Sequence, residues 1–285
     1  MIKYTVIITH LNRENNLSNT LMGLNCQKEL PQQVIVVNMG EEIAVASNYK
    51  FELNVIQYPW DWQFMPLAGA RNFGAAQITE GQLVFLDVDC IPASDFCSKI
   101  SRSSKTHNAL VMGSPKYLLS RLVKEINLEW MKENSVYHPL RPIVAGVKRE
   151  NCYELFWSLC FSIPANLFRK IGGFDENYVG YGAEDTDFAL SIKEQAIPFY
   201  LSDAEVYHQQ HPIYVPPLNH LKSIVRNCNY YRIKWGYWPM TDCLKDFAEM
   251  NFIKWGVNSD CPAEILKVPT EKLIKRHLLP NAPYR

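Results

Sequence analysis

The sequence has no charge surplus, no Cys-x-x-Cys pair and no apolar run near the ~20 residues that a membrane helix needs. Each absence excludes something. Lys plus Arg number 29 and Asp plus Glu 29, so no broad basic surface offers itself to a nucleic acid. The eight cysteines (Cys26, Cys90, Cys97, Cys152, Cys160, Cys228, Cys243 and Cys261) are scattered, which excludes a zinc knuckle and suits free thiols in a reducing compartment. "MIKYTVIITH" reads as a strand and lacks the long apolar region of a signal peptide. The expected location is therefore cytoplasmic, with room for peripheral contact at the inner face of a membrane. No internal repeat or low-complexity linker interrupts the chain.

What is present is apolar patterning. Hydrophobic residues make up 47% of 285, enough for one large packed domain or a domain with an extension. Strand patterns occur at Tyr4–Asn12, Gln32–Gly40, Phe51–Pro59 and in "GQLVFLDVD", with another expected near Trp157–Ile163. Helical patterns lie between them: Leu17, Leu21 and Leu24 share a face, and Pro66–Thr79 is Ala-rich, with Asn72 and Gly74 a mild cost. "SRLVKEINLEWMKENS" also reads as helix. This alternation predicts an α/β domain with a mostly parallel central sheet, whose ligands gather beyond the carboxyl ends of the strands. Thr9 to Arg13, Asn38, Asp87 and Asp89 fall at such ends.

Two acidic groups carry the chemistry. In "LVFLDVDCIP" an apolar strand runs into Asp87 and Asp89. On an extended strand, residues two apart share a face, so both carboxylates can reach one divalent ion or the phosphates it holds. A solvated strand end before a turn is the bland alternative. In "GYGAEDTDFALSIKEQ", Glu184, Asp185 and Asp187 open a helix that begins near Asp185. Acidic residues in a first turn complement the helix dipole without any catalytic role. Gly180 and Gly182 nevertheless allow close backbone approach to a ligand, Tyr178 and Tyr181 could form a wall, and a fixed carboxylate there could take a proton from an attacking hydroxyl. "VYHQQHP" places His208 and His211 three apart after a strand. Imidazole and carboxylate together suit manganese, and His208, ending the strand, is the preferred ligand.

In order and spacing, "IITHLNRENNL", "GARNFGA", "FLDVD", "GGFDENYVGYGAEDTDFALSI" and the later histidine resemble inverting glycosyltransferase family 2, of GT-A fold, in the branch with a galactosyltransferase-type C-terminal motif. The resemblance runs over about Thr5 to His211. It implies a UDP-sugar donor, Mn2+ or Mg2+, and transfer to a glycan or lipid-linked acceptor in surface polysaccharide synthesis. By the same resemblance Asp87 helps hold the nucleotide, and Asp89 and His208 ligate the ion bridging the diphosphate, with Asp87 beside them. Thr9, Asn12, Arg13 and Arg71 surround uridine and ribose, Asp185 is the general base, and Glu184 orients the acceptor. Where many members end the second strand with an acidic pair, this chain has "VVNMG"; the Asn38 amide can still hydrogen-bond uracil.

Other readings compete. "FLDVDCI" resembles the nucleophile strand of haloacid-dehalogenase-type phosphatases, although 86 residues precede Asp87. A sugar-nucleotide pyrophosphorylase needs a glycine-rich loop after its first strand, and "THLNRENN" has no glycine. A catalytically inactive glycan-binding subunit is the third. Trp60, Trp62 and Trp157 read either as core or as sugar platforms. The expected division is a catalytic domain over 1–212 and a helical extension over 213–285. That extension is rich in aromatic and basic residues, which suit packing on the catalytic domain or contact with an acceptor at a membrane surface.

Overall fold

The computed structural model describes residues 2–45, 48–60, 64–122 and 126–284. Trp62 and part of the helix expected over Ser120–Ser135 lie outside them. The strands are β1 (Tyr4–His10), β2 (Gln33–Asn38), β3 (Glu52–Gln57), β4 (Gln82–Asp87), β5 (Cys90–Pro92), β6 (Leu110–Leu118), β7 (Ser135–Tyr137), β8 (Val147–Glu150), β9 (Cys160–Pro164) and β10 (Phe199–His208). They form one sheet in the order β3-β2-β1-β4-β9-β6-β10-β5, with β7 on β6 and β8 on β10. The four longest ladders, β1 with β2, β2 with β3, β1 with β4 and β6 with β10, are parallel. β9 runs antiparallel between β4 and β6.

Helices cover both faces, which is why the central strands read as unbroken apolar runs. Alternate residues serve opposite sides. Val6, Ile8, Val84 and Leu86 pack under α1 (Glu14–Asn25) and α3 (Phe96–His107). Ile7, Leu83 and Phe85 pack under α2 (Leu67–Ala76), α5 (Ala165–Lys170) and α6 (Glu184–Glu194). Gly74 has a packing reason: a Cβ there would stand 2.7 Å from Ile7 and 2.8 Å from Val37. Its helical cost is exchanged for close seating of α2 on the sheet.

Three local expectations change. Within 126–135 the helix is only α4 (Leu128–Glu133), capped by the Asn127 side chain, and β7 follows at Ser135. The late strand starts at Cys160 rather than Trp157, where its pairing with Leu86 of β4 begins. Beyond residue 212, where a helical extension is expected, the chain carries short strands beside its helices. It holds α7 (Leu221–Trp235), α8 (Thr241–Glu249) and α9 (Glu271–Arg276), and two short ladders, β11 (Ile213–Tyr214) with β14 (Leu278–Leu279) and β12 (Ile253–Lys254) with β13 (Glu264–Ile265). Strands of two residues leave no periodicity to read. Among the described residues no helix is long and apolar enough to cross a membrane.

Candidate active site

The parallel ladder aligns Thr9 with Asp87, so β1 and β4 end side by side. Beyond β4 the chain turns at Val88–Asp89 and returns as β5, which pairs Cys90 with His208. The turn splits the two carboxylates that an extended strand would have aimed together. Asp87 faces α2. Asp89 faces the end of β10, where His208 Nε2 and His211 Nε2 each stand 3.5 Å from one of its oxygens. Ligand atoms of Asp89, His208 and His211 lie within 4.8 Å of one another, and Asp87 stands outside that set. The two histidines approach the carboxylate equally. "HQQH" explains how: Gln209 bonds to Asn16 and Asn19 of α1, and Gln210 to the Leu119 carbonyl, so the middle pair anchors the loop and the outer pair faces Asp89.

The electrostatics of this set suit a metal. Burial pushes the Asp89 carboxyl up, but His208, Arg13 and His211 outweigh it and hold the group below its ordinary range. Burial pushes His208 down, toward neutral imidazole. An ionised carboxylate and neutral imidazoles are the forms that bind divalent transition ions. His208 Nδ1 is buried with no hydrogen-bond partner. Arg13, whose side chain is 40% exposed, pairs with Asp89.

The second acidic group lies across Arg71. This arginine on α2 is 3% exposed. It reaches Asp87 Oδ1 at 3.2 Å and Glu184 Oε1 at 3.6 Å, linking the end of β4 to the start of α6. Its guanidinium thus faces protein carboxylates. Burial raises Asp87 against the pull of Arg71. Burial and the neighbouring Asp185 raise Glu184 to about 7. Burial also raises Asp185, opposed by the Thr186 backbone N–H, Arg71 and Arg141. Arg141, absent from the sequence-derived set, stacks its guanidinium on Trp157 with 3.4 Å to the ring centre. Its exposed loop gives no periodic signal that could have singled it out.

The remaining residues divide. Asn12 is exposed with φ of 51°, and Thr9 is buried at the end of β1. Asn38 is 1% exposed. Its amide is engaged by His10 Nδ1 at 2.9 Å, the Glu41 carbonyl at 2.7 Å and Gln57 at 3.0 Å. Asp187 is structural: Tyr178, Lys234 and Trp235 all donate to it, tying α6 to α7. Tyr178 is therefore core, and only Tyr181, stacked on His220, keeps surface. The two glycines also serve packing. A Cβ on Gly180 would stand 2.6 Å from Ser223, and one on Gly182 2.7 Å from Met240, so the close approach there is to the extension. Trp60 donates to the Phe64 carbonyl.

The model of Glycosyl transferase family 2 matches residues 5–162, more than half of the chain. The chain belongs to glycosyltransferase family 2. A second model, described as the N-terminal domain of galactosyltransferase, matches 141–212, the segment that carries Glu184, Asp185 and both histidines. The chain is 32% identical over 224 residues to a validoxylamine A glucosyltransferase of Streptomyces hygroscopicus subsp. jinggangensis, covering 70% of this chain and 53% of that protein. The corresponding protein of subsp. limoneus is 25% identical over 224 residues, covering 70% and 49%. This family 2 chain thus spans about half the length of these two relatives. A structure of GalNAc-T7 with UDP, GalNAc and Mn2+ superposes with a TM-score of 0.57 at 16% identity, covering 88% of this chain and 55% of that one. S. aureus TarS gives 0.55 at 15% identity, covering 88% and 43%. The fold is that of the GT-A glycosyltransferases. Family membership removes the phosphatase alternative for Asp87.

Proposed function

We propose that this chain is a metal-dependent inverting glycosyltransferase that moves a hexosyl group from a UDP-sugar to a hydroxyl of a glycan or lipid-linked acceptor. The observation that carries the reading is the gathering of Asp89, His208 and His211 within 4.8 Å of one another at the sheet end, with Arg71 linking Asp87 there to Glu184 at the start of α6. The GalNAc-T7 structure of the same fold, with UDP, GalNAc and Mn2+, supports the donor class and the ion.

Asp89, His208 and His211 would hold Mn2+ or Mg2+, with Asp87 beside them. When bound, such an ion supplies positive charge to the diphosphate leaving group. Thr9, Asn12 and Arg13 border uridine and ribose. Asn38 shapes that floor through His10. Arg71 keeps Asp87 and Glu184 in register. Asp185 accepts the proton of the acceptor hydroxyl. The acceptor oxygen bonds to the anomeric carbon from the face opposite the diphosphate as the bond to the phosphate oxygen breaks. One displacement inverts the configuration. Glu184, with its pKa near neutrality, donates or accepts a hydrogen bond to orient the acceptor. Residues 1–212 carry the catalytic groups, and 213–285 form an extension docked through Lys234 and Trp235.

The test is a screen of UDP-glucose, UDP-galactose and their N-acetylated forms for binding, hydrolysis and transfer, with and without Mn2+. Metal-dependent binding and turnover of one of them is expected. Absence of both, or full activity in excess chelator, removes the reading.

A further inference from the structure

A run of rings leads from the histidine cluster toward the base. His208 lies against Tyr117 with ring centres 4.9 Å apart. Tyr117 meets Tyr284 at 5.7 Å, and Tyr284 meets His138 at 4.8 Å. His138 meets Trp157 at 5.1 Å, and Trp157 carries Arg141, whose charge favours ionised Asp185. The run thus links a neighbour of Asp89 to an arginine whose charge acts on Asp185.

Tyr284 reaches this run from far along the chain. The segments matched by the two family models end at residues 162 and 212. Specific contacts bring it back. β14 pairs with β11 immediately after the histidine loop, aligning Ile213 with Leu279 and Tyr214 with Leu278. The Val215 N–H donates to the His277 carbonyl at 3.0 Å. Gln210, between the two histidines, donates to the Asn281 carbonyl at 2.8 Å. The segment 277–284 is thus fastened to the loop that presents His208 and His211. Tyr117 and His138 are each 6% exposed, whereas Tyr284 above them is only partly buried. Of these three rings it is the most exposed.

We infer that Tyr284 is a sugar-contacting residue, carried by segment 277–284 to form a wall for the hexosyl group of the nucleotide sugar. This rests on the proposed function. With the diphosphate at Asp89 and the acceptor hydroxyl at Asp185, the group between them is the transferred sugar, so a wall along that gap meets the hexosyl group rather than the uridine. A hexose presents apolar C–H faces edged with hydroxyls, and a tyrosine offers a ring face and a polar tip. The extension then supplies one residue to donor recognition, and the boundary at 212 does not separate it from the site.

Affinities for UDP and for the four sugar nucleotides named above, all with Mn2+, test this in the wild type and in Tyr284→Ala, Tyr284→Leu and Tyr284→Phe, each beside a melting curve. Loss of the ring should weaken the preferred UDP-sugar on the order of 10-fold in Tyr284→Ala and Tyr284→Leu, while UDP stays within about twofold and Tyr284→Phe stays near wild type. Equal weakening of UDP and UDP-sugar would show that the ring only supports Tyr117 and His208, and overturns the inference. Unchanged or tighter sugar-nucleotide binding overturns it too, since the ring then covers the site without contacting its ligand. A wild type that binds neither UDP nor any of the four sinks the proposed function itself, and the inference with it.

Discussion

The turn carboxylate Asp89 and the helix-start pair, buried Glu184 and half-buried Asp185, are the same chemical group, yet they are driven in opposite directions. Asp89 faces His208, His211 and Arg13, and their combined field overcomes desolvation. Glu184 and Asp185 adjoin in the first turn of α6, with Arg71 shared between Glu184 and Asp87, and desolvation prevails. Burial alone therefore does not assign a carboxylate's role; the count and sign of its neighbours do. One arrangement keeps an anion available for a cation. The other raises both carboxylates, Glu184 to about 7, the direction that suits a group taking up a proton.

Removing Asp89 should break the comparison most completely. Asp89→Ala is expected to lower transfer by more than ~10³-fold, about 4 kcal/mol of barrier, and to abolish metal-dependent UDP binding with the fold intact. Transfer kinetics and calorimetric titration of UDP with Mn2+ check it; retained UDP binding would place the ion elsewhere. Asp185→Asn should cost ~10²–10⁴-fold in rate while UDP and metal still bind. If the residue serves only the helix dipole, the variant instead loses about 0.3–1 kcal/mol of stability and keeps its turnover. Saturating-donor kinetics beside a melting curve separate the two.

The histidines sharpen the metal half. His208→Ala and His211→Ala should each raise the Mn2+ requirement by roughly 10–100-fold, the scale that supporting groups of metal sites already reach. His208 should have the larger effect, because it is buried and held by Tyr117. Manganese titrations of activity decide the order, and an unaffected His211→Ala would leave the ion to Asp89 and His208.

The smallest effect concerns the acid–base half and is read as stability. Folded Glu184 holds its proton more tightly than an unfolded glutamate, with a pKa near 7 against 4.5. Its contribution is therefore fully present below pH 4.5 and is lost as pH rises to about 7. The change is on the order of 1–3 kcal/mol, shared with Asp185 as a pair. Glu184→Gln should flatten this decline. Melting temperatures of both proteins across the window test it, and parallel curves would show that the group is not raised.

The amino-acid sequence by itself determined the first strands and helices and the candidate chemistry. β-branched runs made β1 and β2, an apolar run made β4, helical spacing of leucines made α1, and the acidic ends of β4 and α6 stood out against apolar surroundings. The family was legible because its motifs are local and ordered along the chain. Tertiary structure decided which neighbours each acidic residue meets. It gave Asp187 to Tyr178, Lys234 and Trp235, brought His211 as near to Asp89 as His208, and placed Arg71 between Asp87 and Glu184. It also returned Tyr284 to the wall beside the histidines. Periodicity is set by neighbours along the chain, whereas ionisation and contact depend on distance and desolvation in space, which only the packed fold supplies.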